Sequence, residues 1–486
     1  MTALAATAYS RRPYLSLPSE TWRTPLAYML TLAALGLSFY PALLILAVMW
    51  AKALKSDRYA LLIQLTLFFG GYGMLDITFL PLWTADIALL LSLVLWVIYR
   101  KPPVLRRAMI MIGLYVAMLL VFAFMSRESM KIQLLIMRNY FGIAYIIVPF
   151  AVFSGTVFDI RTFFTRLAPY VFIMCAFYIS DSVLIPGNIL VPATAAWGDQ
   201  TSTFWDPLFF GFGNIVRKYP PGMLFVALLW LPIIRWYRLR WWQWALIILG
   251  LGVTRTFSVI SGFLAAFILF QNNKNRIWQY ILGGIAFLAL LWGIDCLIPV
   301  KQDPDSISER SALRIKSTID QFIALNEAID DEDIAQFGSG RMAQILPKVE
   351  LMQRMHKTDI GLGFLHPEKT KINDFIIFNE YYSDESAAEE VAAAVEVTQV
   401  QTFIHIGWIG LILQLLFFIA LYINIRKYRF RAYYVCILVM MGWFGIGGFG
   451  GWISYASLFI ISVSYAISIL GGREEDDGIQ TAGYSE

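Results

Sequence analysis

The chain has 486 residues, of which 58% are hydrophobic and 15% charged, with a formal net charge of +4 and a mean hydropathy of +0.63. A soluble protein carries about a quarter charged residues, so this composition excludes a soluble globular protein. It predicts an all-α polytopic membrane protein, with no nucleic-acid partner.

The residues up to Arg23 include Arg11, Arg12, Pro13 and Pro18 and lack a short apolar run before a cleavage site, so the first apolar segment is expected to be an uncleaved anchor. The run 24–50 has Pro41 in its middle and is read as two short helices joined by a tight turn at Ser38-Phe39-Tyr40-Pro41. Further spans are expected near 59–80, 82–99, 108–125, 133–155, 168–187, 222–235, 241–254, 256–270 and 277–299, then 403–425, 432–447 and 452–470. That makes about 12–14 transmembrane helices. Basic loops recur at Lys52-Lys55-Arg58, Arg100-Lys101-Arg106-Arg107, Arg161-Arg166, Arg235-Arg238-Arg240, Lys274-Arg276 and Arg426-Lys427-Arg429-Arg431. Their alternation with loops poor in Lys and Arg puts them in the cytoplasm with the N-terminal segment. It puts 188–221 and 301–402 outside.

The chain therefore divides into a transmembrane bundle over 1–300, a large helical loop on the outer side over 301–402, C-terminal transmembrane helices over 403–470 and an acidic cytoplasmic tail over 471–486. The insert holds nineteen acidic and ten basic residues. Ser306-x-x-Glu309 fits a capping box opening a helix over 306–325. Gly338-Ser339-Gly340 breaks the pattern, Pro347 kinks or restarts a second helix, and the Ala/Glu-rich stretch 384–396 is a third short helix or a lid. A polar stretch of this length on one face of a bilayer is usually functional or disordered.

Arg310 and Arg314 are four residues apart and share a helix face, where like charges repel unless an anion bridges them or local acids pair with them. Arg255 stands at a sharp outer turn, and Arg217 precedes Pro220-Pro221-Gly222 on the same side. Arg138 lies inside an apolar span, either lining a cavity or pairing with an acid such as Glu128; Asp76 and Asp181 are other intramembrane acids available to these arginines. Guanidinium suits bidentate contact with phosphate. These cations on one face fit a membrane-bound substrate with an outer-leaflet pyrophosphate.

No metal is expected. Asp330-Asp331-Glu332-Asp333 reads as a solvated turn, and Cys175, Cys296 and Cys436 have neither metal nor disulfide spacing. The glycines of 445–451 follow no strand and precede no Lys, so they serve helix packing rather than phosphate binding. The aromatic cluster Trp197, Phe204, Trp205, Phe209, Phe210 and Phe212 either lies in the membrane interface or stacks on sugar rings.

Three segments carry a resemblance. Gly340-Arg341-Met342 through Gly361-Leu362-Gly363-Phe364 resembles a stretch in the large periplasmic loop of bacterial O-antigen polymerases and ligases. Thr254-Arg255-Thr256-Phe257-Ser258 through Gly262 is similar to that family's Arg-containing turn, and Ile406-Gly407-Trp408-Ile409-Gly410-Leu411 to its re-entry helix. The resemblance covers residues 200–425. The ligases carry a His shortly before the re-entry glycines. Here Glu396-Val397-Thr398-Gln399-Val400-Gln401 has none, so polymerase is the expectation and ligase the alternative. A flippase or transporter is a second alternative, but the two internal repeats it would want are not visible.

The resemblance implies a location in the bacterial inner membrane, which makes the large helical loop over 301–402 periplasmic. It implies a fold like the metal-independent multi-span (GT-C-type) glycosyltransferases that use lipid-linked donors, without a cofactor. It implies polymerisation of undecaprenyl-pyrophosphate-linked repeat units into O-antigen, capsule or exopolysaccharide, alongside membrane lipids, a chain-length regulator and a flippase. Arg255, Arg310, Arg314, Arg341 and, more weakly, Arg217 are expected to hold the pyrophosphate. His366, Glu396 or Glu350 is expected to be the base, Glu350 having a simpler role paired with Arg354.

Overall fold

The computed structural model describes residues 12–37, 39–71, 76–77, 82–126, 128–180, 203–204, 215–216, 221–252, 349, 352–353, 355–365, 398–446, 452 and 454–472. The predicted spans 256–270 and 277–299 and almost all of the insert lie outside them.

The described chain is helical. In order the helices are α1 (Arg23–Gly36), α2 (Ala42–Ser56), α3 (Arg58–Thr66), α4 (Thr84–Ile98), α5 (Pro103–Phe124), α6 (Met130–Met137), α7 (Ile147–Val152), α8 (Ile160–Ile179), α9 (Pro221–Trp236), α10 (Trp241–Gly252), α11 (Thr398–Ile425), α12 (Arg431–Ile446) and α13 (Tyr455–Leu470). A 3-10 helix over Arg138–Ile146 joins α6 to α7. The only strands among the described residues are two-residue antiparallel pairs, Asp76–Ile77 with Leu82–Trp83 and Thr203–Phe204 with Ile215–Val216.

Among the described residues four helical stretches are long and apolar enough to cross a membrane: Pro103–Phe124, Met130–Val152, Ile160–Ile179 and Gln399–Ile425. Their outward faces suit lipid. On α11 the exposed residues Trp408, Ile412, Leu416, Ile419 and Ile423 recur every three or four positions and form one apolar stripe. α13 is the reverse, buried from Tyr455 to Ile469 with Ser457, Ser462, Ser464 and Ser468 inside it. Small residues allow this close packing: a Cβ on Gly142 would lie 2.4 Å from the Tyr455 carbonyl oxygen. α5 and α11 pair through Tyr115 stacked on Phe417 (4.3 Å, 8°), Gln414 donating to the Tyr115 hydroxyl (2.9 Å) and Asn424 donating to the Val104 carbonyl (2.9 Å).

Residues 24–50 form two helices, as expected, because Pro41 and the turn at Leu37–Pro41 interrupt the run. The ends carrying the basic loops meet in pairs. Leu15 N–H donates to Arg238 O (2.9 Å) and Arg238 N–H to Pro13 O (2.9 Å). The Arg58 guanidinium donates to the carbonyls of Val152 (3.2 Å) and Ser154 (2.7 Å).

Two predicted spans need correction. Residues 59–80 are not one helix: α3 passes into a π-helical turn over Leu67–Gly71, and Ile77 already pairs as a strand. Glycine ends the helix there, and Gly70 gives room to the Phe459 ring, which a Cβ would meet at 2.6 Å. The span expected over 168–187 begins earlier, at Ile160, so Arg161 and Arg166 are helical rather than in a loop. Their heads leave the apolar face: Arg161 lies 5.8 Å from the Trp236 ring and Arg166 pairs with Asp57 at 3.7 Å.

Asp159 starts α8 by accepting from Arg161 N–H (3.1 Å) and Thr162 N–H (3.0 Å). Partial burial pushes its carboxyl up, but the Thr162 and Arg161 hydrogen bonds and the Arg161 charge together outweigh that and hold it below its ordinary value. The folded pKa is thus depressed, so the cap stabilises above the ordinary aspartate range and its contribution is lost as pH falls through the folded value. Asp159→Ala is expected to cost about 1 kcal/mol at neutral pH. Melting in detergent as a function of pH checks it: the cost should shrink in acid.

Candidate functional site: a broken helix joined to the end of the insert

α11 is not continuous. Gly407 has φ +62° and ψ −169°, which breaks the helix two residues after His405. A break inside a span leaves backbone groups that lipid cannot satisfy. The end of the insert satisfies them. The carbonyls of Ile404 and His405 accept from Leu362 N–H (2.7 Å) and Gly363 N–H (3.0 Å). The N–H groups of Trp408 and Ile409 donate to the carbonyls of Thr358 and Asp359, each at 3.0 Å. Four backbone bonds thus stitch 358–363 into the gap.

Two glycines make the approach possible. Gly361 has φ +76°, and a Cβ there would sit 2.5 Å from the His405 carbonyl; a Cβ on Gly407 would sit 2.4 Å from the Asp359 carbonyl. Each meets backbone rather than a flexible side chain. The segments Gly361-Leu362-Gly363-Phe364 and Gly407-Trp408-Ile409-Gly410, singled out separately in the sequence, are two halves of one joint.

Side chains of α6 and of the turn that follows α5 hold the joint in place. Ser126 Oγ donates to the Leu362 carbonyl (2.8 Å). The Gln133 amide donates to the carbonyls of Ala123 (2.7 Å) and Glu128 (2.9 Å) and accepts from Phe364 N–H at 3.4 Å. Phe364 is buried edge-on against Tyr140, with ring centroids 5.4 Å apart. His405, 2% exposed, has both ring nitrogens engaged, Nε2 with the Gln401 amide nitrogen (2.7 Å) and Nδ1 with the Tyr140 hydroxyl (3.0 Å). With the amide donating to Nε2, the ring proton lies on Nδ1 and is donated to Tyr140. Both nitrogens are thus occupied and shielded, so His405 is a strut between α11 and the Arg138–Ile146 helix.

Arg138 is in this neighbourhood, two residues before Tyr140. Its guanidinium pairs with Asp86, at the start of α4, at 3.2 Å, with each side chain 21% exposed. Of the readings the sequence left open, pairing with an acid holds, but the acid is Asp86 and not Glu128, which accepts from the Ser129 backbone N–H (2.7 Å). An acid in the first turn of an otherwise apolar helix was the signal for Asp86 as a partner. Ser126 and Gln133 offered none, because ordinary polar residues next to a loop carry no pattern.

His366, Glu396 and Glu350, and Arg217, Arg255, Arg310, Arg314 and Arg341, all lie outside the described residues, as do the side chains of Asp76 and Asp181. Among the described residues no group of three or more His, Cys, Asp or Glu is placed to hold a metal ion. Comparisons with protein-family models, with curated proteins and with solved structures each gave no match.

Proposed function

We propose that the protein is a membrane glycosyltransferase that polymerises undecaprenyl-pyrophosphate-linked repeat units at the outer face of the bacterial inner membrane. The observation that carries this reading is the joint at Gly361 and Gly407: two of the three segments that carry the family resemblance are bonded to each other by four backbone hydrogen bonds. A further support is the Asp86–Arg138 pair close to that joint, since charged groups inside spans tend to mark substrate paths. The fold belonging to this reading has about 12–14 spans and is of the GT-C type.

In the reaction an acceptor sugar hydroxyl attacks the anomeric carbon of the donor. The bond from that carbon to the pyrophosphate oxygen breaks, and the leaving diphosphate stays on its lipid. Arg255, Arg310, Arg314 and Arg341, with Arg217 in a lesser role, neutralise the charge that grows on the diphosphate. The hydroxyl proton passes to a base, for which His366 is the first choice by its ordinary pKa and because it follows Leu365, the end of the stitched segment, directly in sequence. Glu396 and Glu350 are the other choices.

The test is incubation of the purified protein in lipid nanodiscs with a lipid-linked repeat unit. A ladder of products on a gel, formed without lipid A-core, is the expected result. Transfer only when core is supplied makes the protein a ligase. An unchanged ladder from the Arg310→Ala/Arg314→Ala/Arg341→Ala variant overturns the assigned pyrophosphate site.

A further inference from the structure

Two cavities flank the start of α5 at the end of the bundle that carries the basic loops. One, of about 390 Å³, is lined by Arg100, Lys101 and Arg106 with Trp96, Tyr99, Met109 and Ile110. The other, of about 570 Å³, is lined by Arg107, Arg426 and Lys427 with apolar Val104, Met111 and Ile423. Among the described residues no acidic side chain lines either. The two ion pairs found among the described residues, Arg138–Asp86 and Arg166–Asp57, involve none of the six cations.

The local backbone adds to the imbalance. The first turn of α5 holds no acidic residue, and its N-cap, Pro102, makes no side-chain capping bond. Arg106 and Arg107 therefore sit beside the positive end of a helix dipole, where cations are disfavoured. A third cavity, between α1, α2, α3 and α8, shows the ordinary arrangement: its cations Arg23, Lys52 and Arg166 are accompanied by Glu20 and Asp57. Arg100 and Lys101 follow the C-terminus of α4, and Arg426 and Lys427 that of α11, where partial negative charge favours cations, and Lys101 Nζ donates to the Trp96 carbonyl. Among the described residues, however, no carboxylate neutralises the cluster of either cavity. Each joins that charge to an apolar wall, and the smaller also carries Trp96 and Tyr99, residue types that favour the headgroup level of a bilayer. A small soluble anion would use the charge and leave the walls idle.

We propose that these two cavities are binding sites for anionic phospholipid headgroups of the leaflet on the basic-loop side, with a phosphodiester among the three cations of each and the lipid's apolar part along Met109–Ile110 and Met111–Ile423. Basic pockets between helices on this side are suited to such lipids. The proposal does not depend on the glycosyltransferase reading.

The experiment uses the full chain, purified and stripped of lipid in detergent, titrated with phosphatidylglycerol, phosphatidylcholine or inorganic phosphate. Retained lipid is read by native mass spectrometry and binding by the shift in melting temperature. Phosphatidylglycerol is expected to bind at least roughly tenfold more tightly than phosphatidylcholine. Arg107→Gln/Arg426→Gln/Lys427→Gln and Arg100→Gln/Lys101→Gln/Arg106→Gln are each expected to remove one class of bound lipid and weaken it by roughly a hundredfold, the effect of three cations beside an anionic head. Arg23→Gln/Lys52→Gln, at the cavity that has its own acids, removes charge without that loss. Equal binding of the two lipids overturns the proposal, as does wild-type binding by both triple variants. Complete displacement of lipid by millimolar inorganic phosphate overturns it in favour of a soluble anion.

Discussion

Gly361→Ala and Gly407→Ala are expected to be the most damaging single changes in the described structure, each lowering stability by about 3–5 kcal/mol. Two costs add. Holding an L-residue in left-handed backbone costs about 1–2 kcal/mol. The new methyl must also displace a carbonyl that is itself part of the stitch, at His405 for one variant and Asp359 for the other. The second cost can be isolated. Gly155 has φ +71° but no atom within 4 Å of where a methyl group would stand, so Gly155→Ala carries only the backbone cost. Thermal melting of the three variants in one detergent checks this: if Gly361→Ala and Gly407→Ala lose no more than Gly155→Ala, the joint is not rigid. Activity should fall with the joint in the first two and survive in the third.

The second large effect concerns the intramembrane pair. Arg138→Gln leaves the Asp86 carboxylate without the guanidinium that faces it at 3.2 Å. Removing one partner of a buried pair costs about 3–5 kcal/mol, and one with a fifth of each side chain exposed should come out lower in that range or just below it. Asp86→Asn should cost less, because an arginine head can reach toward the interface and a short carboxylate cannot. The double variant Asp86→Asn/Arg138→Gln is expected to regain much of the loss, since a neutral pair needs no charge compensation. A double-mutant cycle of melting free energies measures the coupling; a value within about 0.5 kcal/mol of zero would mean that the contact contributes nothing.

Apolar runs marked the presence of helices better than their starts: Pro103 opens α5 and Asp159 caps α8, both ordinary start signals, yet the spans were expected only from 108 and 168. The segments with the richest chemistry were legible only as a likeness. Gly361 and Gly407 stood out as glycines, yet nothing in their spacing says that each fills the gap left by the other, because that depends on how an insert returns to its own re-entry helix. Arg138 was correctly marked as a charge in need of a partner. The acids considered were Glu128 nearby in sequence and Asp76 and Asp181 in other spans, whereas the fold brings Asp86 from the first turn of α4. Nor could the sequence tell that His405 is a strut, since only the positions of Gln401 and Tyr140 decide it. The arginines and bases on which the chemistry of the proposal depends lie outside the described residues.

The pairing of Pro13 and Leu15 with Arg238 has a consequence for synthesis. This stretch near the start of the chain finds its mate only after α9 has left the ribosome. Its first helices must therefore enter the bilayer and settle their direction before this clasp can close. The clasp acts late, as a latch on an already inserted bundle, and cutting it should impair final assembly without turning any helix the other way round.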